Sequence, residues 1–132
     1  MSWSWEPAWD AINDGFARVA ADLQERNSAL WWNCGHADNE AFPFWAYASF
    51  NRDGMAGEED LVVSLSFKRA DGQLAFTSDI ARGDGEILAD GPSSSISLAV
   101  DLSTLRAWIA ERVGEGVAFI EGECDLLKRE LC

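Results

Sequence analysis

The stretch "LVVSLSFKRADGQLAFTSDIA", Leu61 to Ala81, decides the fold. At its centre lies Asp71-Gly72, a pair favoured in two-residue turns because both positions accept positive φ. A two-residue loop there sets Ala70 opposite Gln73, hence Phe67 opposite Phe76, Leu65 opposite Ser78 and Val63 opposite Ile80. In that register Leu61, Val63, Leu65 and Phe67 share a face with Leu74, Phe76 and Ile80. Turn chemistry and side-chain alternation specify one pairing, and a slip of one residue would turn every apolar side chain the wrong way. The stretch reads as an antiparallel hairpin, Leu61 to Arg69 and Gln73 to Ala81, with one buried face.

Further Asp-Gly pairs punctuate the chain at Asp53-Gly54, Asp84-Gly85 and Asp90-Gly91. Between them the pattern predicts a strand from Phe42 to Asn51 before the hairpin. After it come a short strand near Glu86–Ala89, a Gly-Pro-Ser loop and a strand from Ser95 to Val100, with Ile96, Leu98 and Val100 alternating inward. Upstream, Trp5, Trp9, Ile12, Phe16, Val19 and Leu23 recur at steps of three and four, the spacing of one helix face. Ser4 suits its start, Asn27-Ser28 its end, and Gly15 leaves room for close packing against the sheet. Downstream, Leu105, Ile109, Val113, Ile120, Leu127 and Leu131 have helical spacing, with Asp101 or Ser103 as caps. Gly114 and Gly116 predict a break into two helices. The expected fold is α+β, one domain over residues 1–132: an N-terminal helix, an antiparallel meander of four to five strands, and a C-terminal helix pair packed on one sheet face.

The 132 residues carry 23 acids against 10 bases, a net charge of −13. Phosphate-directed nucleic-acid binding needs a basic patch, so direct binding is not expected. An anionic membrane surface is disfavoured for the same reason. The excess acid is spread along the chain rather than gathered in a tail, so it decorates the folded surface. The chain's start has no basic region followed by an apolar run, and its three cysteines are odd in number and widely spaced. Both features fit a reducing, cytoplasmic setting.

Reactive motifs are sparse. Cys34 and His36, with Cys124 or Cys132, supply zinc-ligand types. However, Cys124 and Cys132 lie about 12 Å apart along a helix axis, too far for one ion. Cys34 with His36 as a nucleophilic pair meets an opposing field from Asp38 and Glu40, where a thiolate needs positive surroundings. Asp79, Asp84 and Glu86 surround a tight loop, but their spacing is not that of an EF-hand. Phosphate-loop, dinucleotide and hydrolase-elbow motifs are absent from the sequence. No cofactor, metal or catalytic residue is therefore expected.

Aromatic residues remain. The chain has seven tryptophans. In the strand beginning at Phe42, the residues Phe42, Phe44 and Ala46 face one way, and Trp45 and Tyr47 the other. Trp31 and Trp32 are adjacent and so cannot both face one core. Exposed aromatics rimmed by charge are common anchors of protein interfaces. The partner-facing residues expected are Trp31, Trp32, Trp45 and Tyr47, with Glu58, Glu59 and Asp60 as an acidic rim. The alternative is that these aromatics form a second small core. The functional expectation is a non-enzymatic acidic protein-binding domain, an inhibitor or immunity protein for a basic toxin, nuclease or secreted effector. Alternatives are a nucleic-acid mimic acting on a restriction or CRISPR complex, a small acidic secretion chaperone, or a small-molecule binder or enzyme using a tryptophan-lined region.

Overall fold

The computed structural model describes residues 4–37 and 44–132. Helix α1 (Glu6–Arg26) is followed by strands β1 (Trp31–Ala37), β2 (Phe44–Asn51), β3 (Leu61–Ala70), β4 (Gln73–Arg82), β5 (Ile87–Asp90) and β6 (Ser94–Ser97). Helices α2 (Leu102–Gly122) and α3 (Cys124–Leu131) complete the chain. The sheet is an antiparallel meander in the order β1-β2-β3-β4-β5, and β6 shares the outer edge of β4 with β5. The α+β class and the element order match the expectation.

The β3–β4 hairpin has the register read from the sequence: Ala70 with Gln73, Phe67 with Phe76, Leu65 with Ser78, Val63 with Ile80. Asp71 and Gly72 take φ of 52° and 75°, the two positive values of a type I′ turn. Phe44, Ala46, Ala48 and Phe50 of β2 join the same face, and all four are buried. The contacts from the helices fall on that face. Trp5 stacks on Phe44 at 4.9 Å and meets Phe67 at 5.3 Å, and Trp108 meets Phe67 edge-on at 6.1 Å.

The helix starts follow capping chemistry. Ser4 stands one residue before the N-cap, Trp5, and its Oγ accepts the Glu6 N–H at 3.2 Å. Asp101 is the N-cap of α2 and accepts the Thr104 N–H at 2.7 Å, which holds its carboxyl below the usual carboxylate range. The Asn27 side-chain amide donates to the carbonyls of Arg52 and Leu131, tying the end of α1 to the β2–β3 loop and to α3.

Two expectations are corrected. α2 runs unbroken through Gly114 and Gly116, and the division from α3 falls at Glu123. Gly116 is instead a close-approach residue, where a Cβ would run into the buried Leu65 side chain and press on Phe76. Gly15 faces Val117 of α2, not the sheet: a Cβ there would stand 3.0 Å from Val117 Cγ1. β1 is not among the strands that the pattern announces: its Asn and Gly are poor strand formers. Of the strand expected from Phe42, the structure shows Phe44 onward; Phe42, like Asp38 and Glu40, lies outside the described residues.

Candidate functional site on the helix-free sheet face

Because strand side chains alternate, the sheet has a second face, and among the described residues the ring contacts from the helices all fall on the first. One cross-strand row there runs Gly35, Tyr47, Ser64, Asp79, Asp90. The adjacent row runs Ala37, Trp45, Ser66, Thr77. Trp45 and Tyr47 stack at 4.8 Å with planes 27° apart, and Trp45 is 40% exposed. Small residues flank them, Gly35 and Ala37 on one side, Ser64 and Ser66 on the other. The two rings therefore stand as a ridge above the sheet. Gly35 is required beneath it, since a Cβ there would lie 2.8 Å from the Tyr47 hydroxyl.

Two strands from the ridge, about 10 Å at ordinary strand spacing, Asp79 lies directly opposite Asp90. Burial first, and then the Asp90 carboxylate, push Asp79 above the usual carboxylate range. Two like charges face each other across the ladder, an arrangement that a cation set between them would relieve.

The expected partner-facing residues divide between the two faces. Trp45 and Tyr47 form the ridge. Trp31 is on the same face but opposite Asn51, six residues along the strand, about 20 Å from Trp45. Trp32 is on the helix-covered face, stacked on Phe50 at 6.5 Å and packed against the core. Glu58, Glu59 and Asp60 are exposed on the β2–β3 loop, at the Trp31 end of the face. Glu59 accepts the Ser49 hydroxyl at 3.1 Å, and Asp60 accepts the Arg52 N–H at 2.7 Å. Asp60 is thus engaged in holding the loop. Asp79 and Asp90 were not among the expected partner residues. The hairpin register sets Asp79 outward beside Ser64 and so carried the signal for it; the Asp90 pairing depends on a register shift between Ile80 and Ala81 that the sequence does not announce.

The other chemical candidates lie elsewhere. Cys34 faces the helices and donates to Asn13 Oδ1 at 3.2 Å, and burial raises its pKa, opposite to what a nucleophilic thiolate needs. His36, two residues on, stacks between Trp9 at 4.4 Å and Phe44 at 5.8 Å. Cys132 points at the Leu23 carbonyl, and the three cysteines are unbridged. Among the described residues, no three His, Cys, Asp or Glu side chains gather as a metal site. A groove of about 420 Å³ runs between the start of α1 and the first half of α2, lined by Pro7, Ala8, Ala11, Ile109, Ala110 and Val113 with Ser4 and Arg106. None of Trp31, Trp32, Trp45 or Tyr47 lines it. No helix among the described residues is long and apolar enough to cross a membrane. Comparison with family models, with characterised proteins and with solved structures finds no match to this chain.

Proposed function

We propose that this chain is a non-enzymatic binding domain that holds a basic protein partner on its helix-free sheet face, as an inhibitor or immunity protein does. The observation that carries the proposal is the row joining the Trp45–Tyr47 ridge to the facing carboxylates of Asp79 and Asp90. An arginine or lysine of the partner would lay its stem along the rings and its charge between the carboxylates. The net charge of −13 raises the encounter rate with a basic surface, and the desolvated rings slow departure. Nucleic-acid mimicry draws less support. Glu111 and Glu115 both pair with Arg112, and Glu121 pairs with Arg18, so the helix acids form a mixed surface rather than a bare stripe.

The test compares the parent chain with Trp45→Ala and with Asp79→Asn/Asp90→Asn as immobilised baits for host proteins. The expected result is a basic protein retained by the parent at low salt, released at high salt, and lost at least tenfold from both variants while they stay folded. Retention should also fall on acidification, because protonating Asp79 removes the charge that the partner's cation meets. Equal capture by parent and variants, or capture indifferent to salt and pH, would reject the proposal.

A further inference from the structure

The sheet has two edges of different character. On one side β5 and β6 are four residues each, divided by Gly91-Pro92-Ser93, so neither offers a long template. On the other side β1 is seven residues, pairs with β2 alone among the described strands, and contains no Lys, Glu, Asp, Arg or Pro. An edge of that length, unpaired among the described residues, presents a row of backbone donors and acceptors that fits another extended chain.

The surroundings of the edge select the chain. α1 runs antiparallel above β1, since Trp9 lies on His36 and Asn13 bonds Cys34. At 100° per residue, Glu6 and Asp10 follow Asn13 round the helix on the side away from the core, and both are exposed. They therefore overhang the His36–Ala37 end of the edge. On the other face of β1, the Tyr47 ring lies over Gly35, which brings its hydroxyl to the edge strand, and Trp45 stands opposite Ala37. A second copy of this chain would set one molecule of net charge −13 against another.

We infer that the free edge of β1 takes up an extended basic segment of the partner as a seventh strand. Side chains of that segment on one face meet Glu6 and Asp10; those on the other meet the Tyr47 ring where it lies over Gly35, with Trp45 beside it. The inference rests on the basic partner proposed above and adds the manner of docking.

Amide hydrogen exchange on the full chain at low salt tests it, with two capped eight-residue peptides as probes. One alternates valine and arginine. The other has proline in place of each valine and backbone N-methylation at each arginine, so it has the same charge but no main-chain N–H to donate to a strand ladder. The valine peptide should slow exchange of alternate, outward amides of β1 about tenfold or more, and the proline peptide should not. Glu6→Gln/Asp10→Asn should weaken the valine peptide's effect severalfold. Slowing by the valine peptide that persists in Trp45→Ala would uphold the edge while removing the ridge from the proposed function. Equal binding of both peptides without β1 protection would overturn the edge and leave the ridge standing. Absence of any binding also overturns it. So does protection of β1 that grows with protein concentration in the absence of peptide, because the occupant would then be a second copy.

Discussion

The two faces of the sheet are made by the same strands and have opposite chemistry. On the helix side, Phe44, Phe50, Phe67, Phe76, Leu65 and Ile80 are all but sealed from water. On the other, Ser64, Thr77 and Asp79 alternate with them, and Trp45 and Tyr47 rise together as a stacked pair. Alternation with a period of two lets one strand serve both. The face that makes the fold stable is committed, and the face beside it is free to vary toward a partner without disturbing the core. The comparison predicts a steep gradient in the cost of substitutions.

The largest effect belongs to Phe67→Ala, which removes a ring packed against Trp5, Phe76 and Trp108 and should cost about 3–5 kcal/mol in chemical unfolding. A loss under about 1 kcal/mol would mean that the covered face is loosely packed and that the contrast is wrong. Gly116→Ala comes next. The added methyl meets Leu65 and should cost about 1–3 kcal/mol, lessened by up to about 1 kcal/mol of helix propensity. If this variant is instead more stable than the parent, α2 does not approach the sheet as described.

The adjacent tryptophans give a sharper contrast. Trp32→Ala should destabilise the chain by at least about 1 kcal/mol more than Trp31→Ala, since only Trp32 packs against Phe50 and the core. Equal losses would mean that β1 is not sided in this way. The smallest effect has the opposite sign. Asp79 has a raised folded pKa, so the native state holds its proton more tightly than the unfolded chain does. The associated stability is present at low pH and is lost as pH rises through the folded value. Asp79→Asn should therefore stabilise the chain at neutral pH by a few tenths of a kcal/mol, screened by solvent. That gain should vanish as pH falls below about 4. A gain independent of pH would point to something other than the facing carboxylates.

How much of this was legible in the sequence depended on whether local chemistry and burial agreed. Around Asp71-Gly72 they agree, and every pairing of β3 with β4 follows from the turn. In "WWNCGHA" they do not. Asn33 and Gly35 are poor strand formers, and the strand exists because β2 offers a partner and α1 a cover for Trp32 and Cys34. Gly116 misled for a related reason: a glycine that breaks a helix and one that lets a helix touch a sheet look alike until the sheet is placed. At the site, the outward aim of Trp45 and Tyr47 was readable from alternation. Asp79 was readable in the same way, whereas Asp90 meets it only through the irregular β4–β5 pairing.

The meander also orders events in time. Each strand from β1 to β5 pairs with its neighbour in sequence, so ladders close over short loops, whereas α2 reaches α1 only across the whole sheet. Hairpin formation at Asp71-Gly72 should lead, and the meeting of Gly15 with Val117 should follow. In stopped-flow refolding, Phe76→Leu would then slow the forward rate, and Val117→Ala would chiefly quicken unfolding.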